Sequence, residues 1–405
     1  MSEIIKPEVL APVGDKERLE AAILYGADAV YLGGKSFGMR ANPANFTADE
    51  LAEAVKTAHA KGVKVYLTCN TLPTNEEIDN LPQFIDEAVS AGVDAMIVAD
   101  IGVLMAIKRR APQMDIHIST QTGIVNYLTA NELYNLGAKR VVLARELSLE
   151  TIKTIRDKTP KNLEIECFVH GAMCMSFSGR CLLSNYLTGR DANRGECAQP
   201  CRWGYHLVEE KRPGQYYPIF EDEKGSYILN AKDMCMIEHI DKLVDAGITS
   251  LKIEGRAKSA YYVGVVTNAY RHAVDMYVKN PENYKLEPWV EEETRKVSHR
   301  EYSTGFYFGR PNQCYQSGGY VREWDIIANV EETDGKYMTV ISRNKFSVGD
   351  IAEILEPSKK PIELKISEIC NESGESIDAA CNPMGKYKIP YEGNLVSGSI
   401  IRKSK

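Results

Sequence analysis

The chain has 405 residues, of which 44% are hydrophobic and 26% charged, an ordinary globular composition with enough length for two or three domains. Its net charge of −7 disfavours a broadly basic nucleic-acid surface, although a local one is compatible with it. No apolar run of about 18 residues and no signal-peptide pattern is present, so neither a membrane partner nor export is expected. We therefore expect a cytoplasmic protein, in which ten cysteines favour metal ligation over disulfides.

The first 277 residues alternate short β-branched runs with amphipathic helical segments. Predicted strands span 8–13, 27–34, 63–70, 94–100, 115–123, 140–147, 163–171 and 249–256. Predicted helices between them include 15–25, 49–61, 75–91, 102–110, 129–136 and 148–157. This alternation predicts an α/β fold with parallel strands and crossover helices, a TIM-barrel-like (β/α)8 domain over 1–277. A doubly wound open sheet is the alternative, although no dinucleotide fingerprint or phosphate loop is present.

The seventh predicted strand is not followed directly by its helix. Residues 172–234 instead form a long insertion that is rich in Gly, Arg and Cys. Long irregular loops inside a compact domain are usually functional or disordered, and this composition favours function. In a barrel, the insertion would emerge at the carboxyl ends of the strands, where the active sites of this fold lie.

The remainder of the chain differs in style. Residues 257–277 predict one long helix, and 278–318, which include the proline-containing stretch 279–289, predict a linker. Residues 319–405 hold short alternating strands separated by turns such as TDG and PSKKP. That pattern predicts a small C-terminal all-β barrel or sandwich.

The cysteines of the insertion are the strongest chemical signal. Cys174, Cys181, Cys197 and Cys201 fall within 28 residues of a polar, Gly-containing segment, and Cys235 lies 34 residues further on. Only the last two of the four approach the paired spacing of a zinc knuckle, and no histidine follows at the spacing of a zinc finger. Thiolates suit iron–sulfur clusters as well as zinc. The spacing leaves a cluster, a zinc ion and unligated loop thiols open.

Charged side chains at predicted strand ends suggest a polar barrel mouth. Alternation along LKIEGR places Lys252, Glu254 and Arg256 on one face of the last strand. Three charges pointing into a barrel are costly unless they are paired or bound to a ligand. A local ion-pair network and a site for an anionic substrate therefore both remain open. Arg145 and Gln121, also at strand ends, join the candidate substrate-binding residues.

His170, four residues before Cys174, is a candidate general acid or base, with a hydrogen bond to a loop carbonyl as the structural alternative. The insertion also carries candidate contacts to phosphates and unpaired bases, which would otherwise pack and cap the loop itself. These contacts are Arg180, Arg190, Arg194, Arg202 and Trp203.

The run HGAMCMSFSGRCLLSNYLTGRDANRGECAQPCRWGY, with LAPVGDKERLEAAILYGADAVYLGG and LKIEGR, closely resembles the U32 peptidase family. The resemblance covers essentially the whole barrel region, and the C-terminal β-module is similar to the extra domain of longer members. It implies an iron–sulfur protein that hydroxylates without molecular oxygen, and members act on tRNA, on ribosomal RNA or on a ubiquinone precursor. The size and layout of this chain are most similar to the members that form 5-hydroxyuridine at the tRNA wobble position.

The resemblance also implies the site. By motif position a [4Fe–4S] cluster is held by Cys174, Cys181, Cys197 and Cys235, with Cys201 as the alternate ligand. Prephenate is the implied co-substrate and oxygen source, and Arg145 and Arg256 suit its two carboxylates. The implied partners are tRNA and a paralogous U32 subunit, with no DNA partner.

Two other functions remain open from the sequence. A protease would need a cysteine nucleophile with His170, and the chain lacks HExxH, GxSxG and any papain-like or caspase-like context. A non-catalytic, zinc-bound scaffold would also fit the acidic charge and the β-module.

Overall fold

The computed structural model describes residues 6–38, 45–174, 176–177, 181–203, 231–309, 311 and 320–405. Residues 193 and 202 and four two-residue strands between 207 and 226 are described by their backbone alone. Within these ranges, every helix is too short or too polar to cross a membrane.

Strands and helices alternate through the first part of the chain. The strands are β1 (Glu8–Pro12), β2 (Ala29–Gly33), β3 (Lys64–Cys69), β4 (Ala95–Val98), β5 (Asp115–Ile118), β6 (Arg140–Val142) and β7 (Glu164–Gly171). The helices are α1 (Lys16–Leu24), α2 (Ala48–His59), α3 (Asn75–Ile78), α4 (Leu81–Ala91), α5 (Ile101–Arg110), α6 (Tyr127–Asn135) and α7 (Leu149–Asp157).

Five of these seven helices start at polar residues whose side chains accept hydrogen bonds from the first turn. These N-caps are Asp15, Thr47, Asp100, Asn126 and Ser148. The helix predicted over 75–91 is two helices instead, α3 and α4. Pro82 lies in the first turn of α4, where a proline starts a helix because that turn needs no backbone donor.

The insertion after β7 contains α8 (Leu183–Thr188) and the short strands β8 (Leu207–Val208), β9 (Tyr216–Tyr217), β10 (Glu221–Asp222) and β11 (Gly225–Ser226). The chain then forms β12 (Asp233–Cys235), α9 (Ile240–Asp245), β13 (Ser250–Ile253) and α10 (Ala260–Lys279). Strand β13 pairs in parallel with both β1 and β7. Because β1 to β7 are also paired in parallel and in chain order, the eight strands close into a barrel. The predicted barrel fold is confirmed.

The predicted linker 278–318 contains regular structure. Helix α11 (Pro288–Arg295) packs against the barrel core through Val290, and β14 (Tyr302–Ser303) pairs in parallel with β12. Strand β12 in turn pairs antiparallel with the end of β7, so this segment widens the barrel wall. A short amphipathic helix and a two-residue strand give too weak a periodic signal to be predicted among prolines.

The C-terminal part is all-β, as predicted. Its strands are β15 (Trp324–Thr333), β16 (Gly335–Ser342), β17 (Phe346–Ser347), β18 (Ile351–Leu355), β19 (Ile362–Lys365), β20 (Ala379–Ala380), β21 (Lys386–Gly393) and β22 (Ile400–Ser404). Six of them form an antiparallel sheet in the order β19-β18-β22-β15-β16-β21 around a separate hydrophobic core. In the fully described range 320–405 the two edge strands are not neighbours, so the sheet is a half-barrel.

A buried ion network attaches this sheet to the barrel. Arg402 on β22 is fully buried and donates to Glu293 on α11 at 2.5 Å and to Glu353 on β18 at 2.8 Å. Lys296 also reaches Glu353, at 2.8 Å. The Tyr25 hydroxyl, beyond the end of α1, donates to the Leu355 carbonyl at 2.9 Å.

Candidate functional site

A cavity of 270 Å³ lies at the carboxyl ends of the barrel strands, beneath the insertion. The barrel contributes mainly polar side chains, and the insertion contributes thiols. We call this space the cysteine cavity. Its lining includes Tyr31, Thr68, Asn70, Ser119, Gln121, Arg145, Phe168, Cys174, Cys181, Cys197, Cys201, Lys252, Glu254 and Arg256.

Four thiols line one side of the cavity. Burial raises the pKa of Cys174, and the neighbouring thiols of Cys181 and Cys197 raise it further. The insertion fixes part of this wall, because the buried Ser184 of α8 accepts from the Ala198 backbone N–H at 3.0 Å. In donor chemistry the four thiols fit a thiophilic metal centre. The described residues contain no group of three side chains already gathered at ligating positions.

Cys235 lies apart from these four thiols. It is on β12, where it pairs with His170 of β7, and its thiol is 3.9 Å from the Thr294 hydroxyl of α11. Burial raises the pKa of Cys235 to about 11. It is not among the residues that line the cavity. The structure thus brings Cys174, Cys181 and Cys197 together with the alternate ligand Cys201.

The charges predicted on one face of the last barrel strand all reach the cavity. Lys252 is buried, donates to Glu166 at 2.6 Å and lies 4.5 Å from the centre of the Tyr31 ring. Glu254 accepts from Arg145 at 2.8 Å. Arg145 also lies flat on Phe168, 3.7 Å from the ring centre, and donates to the Ala172 carbonyl at 3.0 Å. Arg145 is therefore already held as part of the wall.

Arg256 is the buried guanidinium of the cavity. Its Nη1 donates to the Thr68 hydroxyl of β3 at 3.2 Å, and only 4% of the residue is exposed. It reaches across the barrel because residue 33 on β2 is glycine: a Cβ there would collide with Nη1 of Arg256. Gly33 thus keeps open the space that the guanidinium occupies.

His170 points away from the cavity. Its ring packs among Tyr262, Tyr270 and Tyr302, with ring centres 6.0, 5.6 and 5.3 Å away. Glu166 and Phe168 point into the barrel, so strict alternation of side chains along β7 would also have pointed His170 inward. The pairing of β7 with β13 shifts register there, because Lys252 pairs with Phe168 but Ile253 pairs with His170. This bulge turns the imidazole outward, where Tyr302 lies 3.4 Å from its Nε2.

His170 makes a testable contribution to acid sensitivity. Burial lowers its pKa to about 3, whereas an unfolded histidine titrates near 6.5. Between these values the unfolded chain binds the extra proton, so His170 destabilises the fold as the pH drops below about 6.5. When the pH is lowered from 7 to 4.5, the free energy of unfolding should therefore fall by about 2 kcal/mol less in His170→Gln than in the wild type. Urea unfolding at both pH values measures this, with the half-exposed His59→Gln as control; an equal acid loss in both variants contradicts it.

The residues predicted to contact nucleic acid are only partly described. Arg190 is exposed, and Arg194 forms an ion pair with Glu77 of α3, which ties the insertion to the loop after β3. Trp203 is 42% exposed, as are Phe177 at 51% and Tyr186 at 85%. Arg180 and the side chain of Arg202 lie outside the described residues.

Four residues in or beneath the cavity were not predicted from the sequence. Thr68 and Ser119 each precede a predicted strand-end residue by two positions, a spacing that alternation could have revealed. Glu166 and Phe168 lie on the inward face of β7. Glu166 and Phe168 alternate with hydrophobic residues in the run IECF, so the run does not show from its pattern which face points inward.

Comparison with known proteins gives the same family for both parts of the chain. The family model described as peptidase family U32 matches residues 14–317, and that of the U32 C-terminal domain matches 322–402. The chain is 38% identical to tRNA hydroxylation protein P1 of Bacillus subtilis, covering 99% of this chain and 95% of that protein. It is 46% identical to an uncharacterized protease of Methanocaldococcus jannaschii, covering 87% and 84%. It is 38% identical to a collagenase of Porphyromonas gingivalis, covering 89% of each.

Proposed function

Since the chain belongs to peptidase family U32, we propose that it is a tRNA hydroxylation enzyme of the cytoplasm that forms 5-hydroxyuridine at the wobble position without molecular oxygen. One observation carries the proposal: four thiols and the cationic side chains of Lys252 and Arg256 line a single cavity at the mouth of the barrel. The similarity to tRNA hydroxylation protein P1 supports it, because that similarity extends over both domains.

A [4Fe–4S] cluster is proposed as the resident cofactor. Cys174, Cys181 and Cys197 would hold it, with Cys201 or Cys235 as the fourth ligand. The thiol donors fit such a cluster in number and in softness. When bound, it would supply one-electron chemistry next to the cavity. The protein residues of the opposite wall bind and orient the substrates.

Prephenate is proposed as the oxygen donor because the floor of the cavity suits a dicarboxylate. Arg256 offers a planar, permanently charged donor that can bind a carboxylate through two hydrogen bonds. Lys252 on β13 adds an ammonium group to the same cavity, four residues before Arg256 in the chain. The apolar side chains of Phe168, Ile97 and Val142 offer a surface for the ring.

The tRNA is proposed to approach from the insertion side. Only an unpaired base that has left the stack can enter a cavity of 270 Å³. The exposed rings of Phe177, Tyr186 and Trp203 belong to the insertion that contributes the cavity thiols and can stack on neighbouring bases. The exposed Arg190 is a proposed phosphate contact.

Gly33→Ala is expected to disable the donor site while leaving the fold intact. The added methyl group displaces the Arg256 guanidinium from Thr68, and the flexible arginine can retreat without disturbing the backbone. Loss of a charge-assisted carboxylate contact should reduce the specificity constant for prephenate about 100-fold. Steady-state kinetics at saturating tRNA measure this. Gly102→Ala is the control, because Gly102 is exposed in the first turn of α5, has no left-handed backbone and lies outside the cavity; equal kinetics for both variants would contradict the role of Gly33.

The proposed function is tested by nucleoside analysis of tRNA. In a strain without this gene, 5-hydroxyuridine and nucleosides derived from it should disappear from tRNA hydrolysates, and a plasmid copy should restore them. Unchanged nucleosides in the deletion strain, with no second gene compensating, would reject the proposal.

The relatives named as a collagenase and a protease favour peptidase activity as the second candidate. Its required pair is a cysteine nucleophile and a histidine base. The predicted base, His170, is surrounded by tyrosines and points away from the four cavity thiols. Gelatin hydrolysis that is lost in both Cys197→Ala and His170→Gln would support this activity.

A further inference from the structure

The interior of this barrel carries charge where such barrels are usually filled with Val, Ile and Leu. Below the cysteine cavity, Lys252 of β13 donates to Glu166 of β7 at 2.6 Å. Glu166 is fully buried. At the opposite end of the barrel, Glu8 of β1 is 13% exposed and so reaches solvent.

Ser250 links these two carboxylates. Its hydroxyl lies 3.0 Å from Oε1 of Glu8 and 3.3 Å from Oε2 of Glu166, so it can donate to either. Together with the Lys252 contact, this places four groups in series, each within hydrogen-bond distance of the next, from the cavity to the far end of the barrel. We call this series the interior path: Lys252, Glu166, Ser250 and Glu8.

Arg140 holds the path in place. Its guanidinium is 4% exposed and donates to Glu8 at 2.6 Å and to Glu166 at 2.9 Å. An arginine stays protonated in proteins, so it fixes the carboxylates but does not pass a proton on. The Tyr66 hydroxyl also donates to Glu8, at 2.6 Å, but it does not link Glu8 to Glu166. The Ser250 hydroxyl is therefore the group suited to transfer between the carboxylates.

We propose that the interior path supplies protons to the cysteine cavity from the opposite end of the barrel. This inference rests on the proposed function, in which a hydroxylated dicarboxylate, X–OH, converts uridine, R–H, into R–OH. The ring forms the C5–O bond as the X–O bond breaks, and the electron pair of that bond stays on X. C5 then loses its hydrogen as a proton, which the Glu254 carboxylate of the cavity wall accepts and releases to solvent. X, which holds the electron pair, must gain a different proton.

Lys252 provides the proton that X gains. One N–H bond of its ammonium group breaks and the X–H bond forms, which leaves a neutral amine. Glu166 then donates a proton to that amine and takes a proton from the Ser250 hydroxyl. Glu8 in turn donates a proton to Ser250. The path moves one proton per turnover and no electrons, so it matches the proton lost from C5. Since the insertion covers the cavity, supply from below is compatible with a bound tRNA.

Ser250→Ala tests the path because it breaks the link while keeping every charge. With protein in excess over tRNA, the first turnover uses the proton already on Lys252 and should match the wild type. With tRNA in excess, turnover should fall at least about tenfold, and the solvent deuterium isotope effect should increase. Ser250→Thr keeps the hydroxyl and should restore both.

Matched controls separate this role from a structural one. Tyr66→Phe removes a contact to Glu8 that lies off the path and should leave turnover unchanged. Glu8→Gln, a second break in the path, should behave like Ser250→Ala, which covers the case that one variant folds poorly. Equal multiple-turnover rates for Ser250→Ala and wild type, or equal losses in the first and later turnovers, overturn the path. A wild type inactive on tRNA with prephenate overturns the proposed function instead.

Discussion

Replacing Cys181 with serine is expected to abolish iron binding and tRNA hydroxylation together. Cys181 lines the cavity close to Cys174 and is one of the three proposed ligands, with Cys174 and Cys197, that do not depend on the choice of the fourth. Wild-type protein purified without air should carry about four iron and four sulfide per chain. The variant should carry neither, with an unchanged circular dichroism spectrum.

Cys381→Ser is the control, since Cys381 is exposed and lies in the half-barrel, outside the cavity. The fourth ligand is identified by the same assay on Cys201→Ser and Cys235→Ser. Loss of iron only in the first would favour the grouping seen in the structure; loss only in the second would show that the insertion moves toward β12 on binding. One zinc per chain in the wild type, without iron, would refute the cluster and favour the zinc-bound scaffold.

Arg402→Met is expected to destabilise the protein by about 3 kcal/mol, because it removes the closest partner of a buried carboxylate and leaves only Lys296, 3.2 Å away. Glu293 is fully buried and receives the Arg402 guanidinium at 2.5 Å. Because methionine fills much of the same volume, the loss of stability can be attributed to the missing charge rather than to a cavity. Since β22 and α11 belong to different parts of the chain, the half-barrel should detach from the barrel before the barrel unfolds.

Urea unfolding followed separately by tryptophan fluorescence and circular dichroism checks this result. Trp324 lies in the half-barrel, 5.5 Å from the Arg402 guanidinium, and reports detachment. Lys405→Ala is the control, because its ion pair with Asp325 is about half exposed and such pairs contribute little. If Arg402→Met shifts the midpoint no more than Lys405→Ala, the network does not hold the two parts together.

The barrel could be predicted because its strands are continuous apolar runs separated by well-capped helices. The placement of Lys252, Glu254 and Arg256 in the cavity also followed from alternation along a single strand. Their partners could not be predicted, since Glu166 lies 86 residues from Lys252 and Arg145 lies 109 residues from Glu254. Pairing across a barrel depends on closure and register, which local patterns do not contain.

The position of His170 shows the same limit at a single residue. Its place at a strand end near Cys174 made it a candidate acid or base, but a register shift in the β7–β13 pairing turns its side chain away from the cavity. The four insertion cysteines were recognised from their polar context. Which of Cys201 and Cys235 completes a ligand set stays a prediction, because spacing along a long insertion does not fix distance.

The separation between the barrel core and the thiol-bearing insertion bears on how the protein matures in the cell. The core of the barrel includes none of the four cavity cysteines, and the barrel closes through β13 and β7 without them. The polypeptide is therefore expected to reach its folded state first and to act as a ready acceptor for cluster delivery afterwards. Iron starvation would then leave a pool of intact, inactive protein that can be reactivated without new synthesis.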